Sequence, residues 1–261
     1  MKAMKRVLAL IAVAIMMLTM AACGGKEAPK GDVAAIQEAG KMVVGVTVYE
    51  PMNYLNEDGA WDGFDTEFAE AVAEKLGVEA QFVIIDWDNK WATLNSKKID
   101  CVWNGMTLTE EAKTNASCTD AYVLNAQVVV MKADKVASYA DAASMKDLKF
   151  AVEAGSAGKE IANENSFKVT EYATQTDAMS AVKAGKADAC VIDITMAKAM
   201  TGEGTSFADL GIGISLTEEE YGIACRKGSD LTGKINALMD ELTEDGTLTN
   251  LAKKYNLNLA E

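Results

Sequence analysis

The chain has 261 residues, a formal net charge of -14 at neutral pH and no histidine. This acidic balance argues against nucleic acid and anionic headgroups as partners, because like charges repel. The commonest metal ligand and general base is absent, which argues against structural zinc and a Ser-His-Asp triad. We therefore expect neither a metal nor another cofactor.

The first 22 residues have the composition of a bacterial export signal. A basic start at positions 2, 5 and 6 precedes an apolar run over residues 7–17, which is too short to span a bilayer of roughly 30 Å. Small residues stand directly before Cys23, as in a lipobox. We predict that residues 1–22 are a signal peptide and that Cys23 is lipidated, although an ordinary cleaved signal stays open. The protein is then expected at the extracellular face of the cell membrane, held by lipid, or in the periplasm.

Residues 23–35 have the composition of a linker, and roughly 230 residues follow, enough for one large or two small domains. Strand-like and helix-like periods then alternate. In chain order we predict strand 42–48, helix 64–76, strand 79–85, helix 89–96, strand 99–103, strand 149–152, helix 157–165, strand 168–172, helix 176–184, strand 189–192, and helices 230–243 and 248–255. Strands alternating with helices predict an α/β fold with parallel sheets and right-handed crossovers.

Two segments of the chain resemble each other. Residues 98–104 (KIDCVWN) and 186–193 (KADACVID) each follow a predicted helix, begin with Lys-x-Asp and run through a buried strand to a polar side chain. Ligands of open α/β sheets bind beyond the carboxyl ends of the strands. Unless the similarity is chance, it predicts two similar lobes that face each other across a cleft, with Asn104 and Asp193 at equivalent edges.

Four cysteines follow Cys23, and an even count in an exported protein can indicate disulfides. Cys101, Cys190 and Cys225 lie in apolar runs, Cys118 lies among polar residues, and none has CxxC spacing. We interpret the four as buried, inert thiols, with a disulfide as the alternative.

Polar and aromatic side chains collect at the predicted strand ends in a distinctive order. The motifs are Tyr-x-Pro from position 49, Gly-Phe-Asp from 63, Asp-Trp-Asp from 86, Gly-x-Thr-x-Thr-x-Glu from 105, Gly-Ser from 155, Lys-x-Asp-Ala from 186 and Asp-Gly-Thr-Leu from 245. With these seven motifs in register, about residues 40–258 resemble the family 3 extracellular solute-binding proteins, the polar amino-acid receptors of ABC importers.

The resemblance implies a type II periplasmic-binding-protein fold, a Venus flytrap of two α/β lobes joined by two hinge strands near residues 125–127 and 220–222. Lobe 1 would comprise residues 36–124 and 222–261, and lobe 2 residues 125–221. The implied function is amino-acid transport. A substrate-binding lipoprotein captures an amino acid or a related small polar, amine-bearing solute and delivers it to an ABC permease in the membrane. We expect it to act as a monomer.

The family's site, carried over residue by residue, assigns the ligand's ammonium end to three side chains. Tyr49 and Trp87 would sandwich the ligand through ring contacts and cation–π attraction. Asp193 would accept the ammonium in a charge-assisted hydrogen bond. The alternatives are packed core aromatics for the two rings and a helix cap for Asp193.

The ligand's carboxylate would be held from both lobes. Gly105 would offer a backbone N–H and Thr107 a hydroxyl. Ser156 and Ala157 would hold the same group at a helix N-terminus, where backbone donors and the dipole favour an anion. Ser156 as a simple N-cap is the alternative.

Specificity is expected to depend on Trp103, Asn104 and Glu153. Trp103 and Asn104 replace the small or aliphatic residues that are usual before the glycine in the family, and Asn104 is therefore included among the ligand-binding candidates. Asp65 is interpreted as the N-cap of the helix that follows it.

One departure from the family concerns the ligand's carboxylate. In the amino-acid receptors, Thr-x-Glu is followed by an arginine that binds the α-carboxylate, but Ala112 stands at that position here. A hydrogen bond to a charged group contributes about 1.5–3 kcal/mol, so the loss predicts roughly tenfold to a hundredfold weaker carboxylate binding. Lys113 is adjacent, yet a side chain one position along a helix can face elsewhere. The ligand's identity is therefore open.

Two other functions stay open. One is an enzyme on the same scaffold that resembles cyclohexadienyl dehydratase, with Asp193 or Glu153 as a general acid. The absence of histidine and of an obvious nucleophile–base pair argues against it, so we expect a receptor and not an enzyme. The other is a ligand-binding sensor that acts through a membrane partner.

Overall fold

The computed structural model describes residues 31–260. The predicted signal peptide, Cys23 and residues 24–30 of the predicted linker lie outside the described residues. None of the helices within residues 31–260 is both long and apolar enough to cross a membrane.

Strands and helices alternate along most of this part of the chain. The strands are β1 (Lys41–Val46), β2 (Tyr54–Leu55), β3 (Trp61–Asp62), β4 (Glu79–Ile84), β5 (Cys101–Thr107), β6 (Ser117–Cys118), β7 (Val123–Asn125), β8 (Gln127–Lys132), β9 (Lys149–Glu153), β10 (Lys168–Tyr172), β11 (Ala189–Asp193), β12 (Leu210–Ser215) and β13 (Glu219–Cys225). The α-helices are α1 (Asp32–Ala39), α2 (Phe64–Leu76), α3 (Lys90–Asn95), α4 (Glu110–Asn115), α5 (Ala157–Glu164), α6 (Gln175–Lys183), α7 (Ile194–Met200), α8 (Asp230–Glu244) and α9 (Thr247–Tyr255).

The strands form two larger sheets with the same plan. The first has the order β4-β1-β5-β13-β6, with β7 also paired to β13; the second has the order β10-β9-β11-β8-β12. In each sheet three parallel strands come first, and an antiparallel strand follows them. The α/β prediction is confirmed, and the parallel part of each sheet follows the chain order second, first, third.

The chain passes between the two sheets twice. It leaves the first sheet at the end of β7, enters the second with β8 after Ala126, and returns to the first with β13 after residues 216–218. The C-terminal helices α8 and α9 then pack against α2, beside the first sheet. Two α/β lobes result: lobe 1 is built on the first sheet and lobe 2 on the second.

Most predicted elements are present, with small shifts at their ends. Helix α2 covers the predicted span, and Gly77 follows it in the left-handed conformation that ends a helix, with φ of 75°. Strand β5 departs most from the prediction, because its pairing with β13 continues to Thr107 opposite Tyr221. Asn104 therefore lies inside a strand and not at its end, which corrects the equivalence predicted with Asp193.

The sequence repeat has a structural cause. In lobe 1 the Asp100 carboxylate accepts the Val43 N–H at 2.9 Å, and its own N–H donates to the Val43 carbonyl at 2.7 Å. In lobe 2 Asp188 makes the same pair of bonds with Lys149, at 2.8 Å each. Each Lys-x-Asp motif thus joins the third parallel strand of a sheet to the first.

The core of lobe 1 contains an aromatic cluster that corrects two predictions. Trp103 is fully buried with its ring centroid 4.8 Å from that of Phe68, so it packs in the core and does not border the ligand cleft described below. Asp65 is not an N-cap, because Gly63 precedes α2 without a side-chain cap and Asp65 itself is fully buried. The four cysteines after Cys23 are free thiols; Cys118 is half-buried and the other three are buried.

Candidate functional site

A cleft lies between the two lobes. All eight ligand-binding residues predicted from the sequence border it, namely Tyr49, Trp87, Asn104, Gly105, Thr107, Ser156, Ala157 and Asp193. The structure therefore brings together side chains from four strand ends and one helix N-terminus that lie up to 144 positions apart in the chain. Their individual contacts differ from the predicted ones at several positions.

Asp193 lies at the end of β11 and is 4% exposed. Its Oδ1 accepts hydrogen bonds from Asn125 Nδ2 at 2.5 Å and Gln127 Nε2 at 2.7 Å, and its Oδ2 accepts one from Gln175 Nε2. It makes no side-chain cap to α7, so the helix-cap alternative does not apply. The Tyr221 hydroxyl is a further hydrogen-bond partner of this carboxylate.

Two more carboxylates lie close to Asp193. Glu153, which the sequence suggested for specificity, borders the cleft and is 4% exposed. Glu219 was not singled out from the sequence; it accepts hydrogen bonds from the same amides of Asn125 and Gln127, at 2.6 and 2.7 Å. The first residues of β8 and β13 thus carry polar groups that the crossing between the lobes brings beside Asp193.

Burial and crowding raise the pKa values of Glu153 and Asp193. Burial raises the pKa of Glu153 to about 8, and repulsion from Asp193 adds to the effect. Burial also raises the pKa of Asp193 to about 7, with a contribution from Glu219. Because neighbouring buried carboxylates cannot all be ionised without a counter-charge, this end of the cleft is suited to a cationic group.

Lys90 is a cleft residue that the sequence analysis missed. It is 4% exposed, and its Nζ donates to the carbonyl of Trp87 at 3.2 Å and to that of Gly155 at 2.7 Å. The available signal was its spacing from buried Leu94, which puts a lysine on the apolar face of α3. Gly155 belongs to lobe 2, so Lys90 joins the two lobes across the cleft.

Trp87 and Tyr49 border the cleft, but in the structure they contact protein groups and not only the space predicted for a ligand. Lys90 Nζ lies 4.9 Å from the Trp87 ring centroid, so a protein cation already occupies a position beside that ring. The Tyr49 hydroxyl hydrogen-bonds to Thr195 and lies 2.5 Å from the Tyr221 hydroxyl. Tyr49 therefore links lobe 1 to α7 of lobe 2 and contributes its ring to the cleft wall.

The donors predicted for the ligand's carboxylate in lobe 1 have protein acceptors in the structure. The Gly105 N–H donates to Asp65 Oδ2 at 2.6 Å, and the Thr107 hydroxyl donates to Glu219 at 2.9 Å. Gly105 has φ of 54°, and a Cβ there would lie 2.6 Å from a ring carbon of Tyr49, so only glycine fits. The two residues shape the cleft, but their predicted donors point to Asp65 and Glu219.

Asn104 also makes its hydrogen bonds within lobe 1. Its side-chain oxygen accepts the N–H of Thr47 at 3.0 Å, and its Nδ2 donates to the Thr47 carbonyl at 3.0 Å. The Asn53 side chain lies next to the same amide. Asn104 thus holds the loop after β1, on which Tyr49 lies, and it borders the cleft from that position.

Helix α5 begins at the cleft. Ser156 is its N-cap: the hydroxyl accepts the Lys159 N–H at 3.1 Å and donates to the Glu153 carbonyl at 2.8 Å. Ala157, the first helical residue, borders the cleft. The N-cap alternative for Ser156 thus describes its hydroxyl, which takes the Lys159 amide, while a bound anion at the other first-turn amides stays a prediction.

The position of the family's missing arginine lies at the cleft wall. Ala112 is 1% exposed in α4, with its N–H donating to the N-cap Thr109 at 3.1 Å. Lys113 does not border the cleft; its side chain is 54% exposed and its Nζ lies 3.5 Å from Glu110. Lys113 therefore does not replace the arginine.

Comparisons with known proteins agree with this arrangement. The family model described as bacterial extracellular solute-binding proteins, family 3, matches residues 42–258. The arginine-binding extracellular protein ArtP of Bacillus subtilis (strain 168) is 31% identical over 263 residues, which cover 97% of this chain and 98% of that protein.

Two solved structures are similar throughout the described region. The arginine-bound form of truncated ArgBP from T. maritima has 33% identity and a TM-score of 0.74, covering 80% of this chain and 99% of that one. The ancestral amino acid-binding protein AncCDT-1, described as a precursor of cyclohexadienyl dehydratase, has 29% identity and a TM-score of 0.79, covering 85% and 98%. The fold is that of the type II binding proteins.

Proposed function

Because this chain belongs to the bacterial extracellular solute-binding proteins of family 3, we propose that it captures a cationic amino acid or a related amine-bearing solute between its lobes. The observation that carries the proposal is the charge of the cleft. Asp193 and Glu153 are both buried at one end of it, beside Glu219. A ligand with more than one positive charge would stabilise their ionised forms.

The names of the relatives support arginine as the first solute to test. ArtP is named as arginine-binding, and the ArgBP structure holds arginine. An arginine ligand would place its ammonium beside the Asp193 carboxylate and its guanidinium among the remaining carboxylates of the cleft. Guanidinium and carboxylate groups pair with two parallel hydrogen bonds, which favours arginine over lysine.

The mechanism is closure of the two lobes about the chain crossings. In this structure Tyr49 reaches Thr195, and Lys90 reaches Gly155, so each contact joins lobe 1 to lobe 2. A solute that touches both walls adds contacts that exist only when the lobes are closed. Its differential affinity then shifts the population toward the closed form, which a permease can distinguish from the open one.

The family acts outside the cytoplasmic membrane, and its amino-acid-binding members supply ABC transporters. We infer that this protein is tethered there through a lipid on Cys23 and works as a monomer beside an ABC permease. Replacing Cys23 by Ala would release the protein into the medium or periplasm, as a membrane-fractionation blot would detect. Retention in the membrane fraction would contradict the anchor.

An enzyme is the second candidate, and one observation favours it. Glu153 has a pKa raised to about 8, which suits a general acid, and AncCDT-1 is described as a precursor of a dehydratase. We infer that the protein nevertheless binds without reaction, since the cleft offers the same residue a role as counter-charge. Incubation with a cyclohexadienyl acid, followed by ultraviolet absorbance, tests this: an aromatic product would establish the enzyme.

The experiment that tests the receptor is a thermal-shift and calorimetry panel on protein unfolded and refolded to remove co-purified ligand. At a hundred times its dissociation constant, a ligand adds about 2.7 kcal/mol of stability. For a protein of this size the melting temperature would rise by about 5–10 °C. We expect L-arginine to give that rise, L-lysine less, and L-glutamate none. The panel also contains betaines and polyamines, and no shift with any of these compounds would overturn the proposal.

A further inference from the structure

We propose that Lys90 binds the carboxylate of the ligand, in place of the arginine that is absent at position 112. This inference rests on the proposed function, because it needs an amino acid in the cleft. It assigns a binding role to a residue outside the motifs that carry the family resemblance. Three observations support it: the fixed position of the ammonium, its unused donor and its place beside the N-terminus of α5.

The Lys90 ammonium is held in a fixed position at the cleft wall. Its Nζ lies 4.9 Å from the Trp87 ring centroid and 5.1 Å from that of Trp91, so two indole rings flank the cation. Trp91 is itself anchored, because its Nε1 donates to Glu111 at 2.7 Å. A long lysine side chain placed in this way has already lost most of its freedom, and binding therefore costs little further ordering.

One N–H donor of the Lys90 ammonium has no hydrogen-bond acceptor among the described residues. A lysine carries three N–H donors, and within residues 31–260 two of those of Lys90 have acceptors, the carbonyls of Trp87 and Gly155. The ammonium is buried, and leaving part of its hydrogen-bonding capacity unused there is unfavourable. Burial lowers the pKa of Lys90, and the carboxylates of Glu111 and Glu153 oppose that shift. An anion brought by the ligand would satisfy the third donor.

The same ammonium lies next to the helix end that the sequence assigns to the carboxylate. Gly155, whose carbonyl accepts from Lys90 at 2.7 Å, directly precedes the N-cap of α5. An anion in front of Ala157 would therefore meet the first-turn amides of α5 from lobe 2 and Lys90 from lobe 1. The family's arginine and this lysine would approach the carboxylate from different helices of the same lobe.

The cleft also offers groups of both signs to a zwitterion. Among the described residues that border it, Lys90 is the only cation, and Asp193, Glu153, Glu111 and Glu160 are the acids. The ammonium of an amino acid fits the buried Asp193 carboxylate, and its carboxylate fits Lys90. Lys113, the other lysine considered from the sequence, is exposed and outside the cleft.

The test uses the affinity ratio between L-arginine and L-argininamide, which differ in the carboxylate. In the wild-type protein we expect arginine to bind more tightly. Lys90→Met should weaken arginine binding by roughly 10- to 100-fold, the range for one charged hydrogen bond, and leave argininamide within about threefold. Isothermal titration calorimetry gives both constants, with displacement titration for the weaker ligand. The matched control, Lys113→Met, removes the same charge nearby and should leave both affinities unchanged.

A second variant separates charge from the contact between lobes. Lys90→Gln keeps an N–H donor for the Gly155 carbonyl but has no charge, and it serves if Lys90→Met fails to fold. We expect Lys90→Gln to lower the arginine-to-argininamide ratio as Lys90→Met does. Equal losses for both ligands would mean that Lys90 only holds the lobes together, and an unchanged or tighter arginine affinity would also overturn the proposal. If no amino acid binds the wild-type protein, the proposed function itself fails.

Discussion

Asp193 has three side-chain amides around it before any ligand is considered. The amides of Asn125, Gln127 and Gln175 orient both oxygens, so the carboxylate presents a fixed acceptor to the cleft. Such prior ordering raises affinity because less side-chain freedom is lost on binding. It also means that replacing Asp193 by Ala would leave three buried donors without an acceptor, and a loss of binding would then be mixed with a loss of stability.

Asp193→Asn separates binding from stability better than Asp193→Ala does, because it keeps the shape of the side chain and one acceptor oxygen. We expect it to weaken L-arginine binding by roughly 10- to 100-fold or more, because an ammonium loses its charged partner. Calorimetry measures the affinity, and the melting temperature of the ligand-free variant reports its fold. The control Asp209→Asn changes an exposed acid of lobe 2 that pairs with Lys132. Unchanged arginine affinity in Asp193→Asn would remove this residue from the site.

At the scale of the elements, the two Lys-x-Asp motifs make the same strand-to-strand hydrogen bonds, but their other partners differ. Asp100 and Asp188 each receive a strand N–H, from Val43 and Lys149. Asp100 additionally pairs with Arg226, whose guanidinium side chain is 11% exposed and also pairs with Asp32 at 3.1 Å. The motif in lobe 1 therefore connects β1, β5, β13 and α1, whereas that in lobe 2 connects β9 and β11.

This difference predicts unequal effects of the same substitution. Asp100→Ala should lower the free energy of unfolding by about 2–3 kcal/mol, since a largely buried arginine loses one charged partner. Asp188→Ala should lower it by about 1 kcal/mol or less, since its bond is exposed to solvent. Urea denaturation of the ligand-free protein measures both. Equal losses would show that Arg226 is held well enough by Asp32 alone.

For the whole molecule, the buried acids make the stability of the folded state depend on pH. Burial raises the pKa of Asp65 to about 7, against the opposing hydrogen bond from Gly105, and Asp193 and Glu153 reach about 7 and about 8. Their ordinary values are 3.8 for the aspartates and 4.5 for the glutamate. Between those limits the folded protein holds more protons than the unfolded chain, so folding is favoured at lower pH.

We therefore expect the ligand-free protein to lose stability as the pH rises from about 4 to about 8. The melting temperature should fall by more than about 10 °C between pH 5 and pH 8, by scanning calorimetry. A cationic ligand favours the ionised acids, so its binding should release protons, and the calorimetric enthalpy should depend on the buffer. Glu153→Gln should flatten the pH dependence. A melting temperature that rises over this interval would contradict the assignment of raised pKa values.

Local sequence patterns determined much of the secondary structure of this protein. The periodic apolar stripe and the terminal glycine predicted α2 at its observed bounds, and β10 also matches. The motif order, through the family that it resembles, predicted which residues would border the cleft. The predicted strand ended at Trp103, too early for β5. Asn104 and Gly105 interrupt the apolar run, and only pairing with β13, far along the chain, keeps the strand extended to Thr107.

The hydrogen-bond partners of the cleft residues were decided by the tertiary structure alone. Gly105 donates to a carboxylate 40 positions away, Lys90 reaches a carbonyl 65 positions away, and Thr107 meets Glu219 across 112 positions. A sequence shows which groups can donate or accept, but the acceptor each one finds depends on how two lobes, joined by a chain that crosses twice, pack together. For that reason the family resemblance could predict a receptor for a small polar solute, and only the fold could show a buried lysine in the same cleft as buried acids.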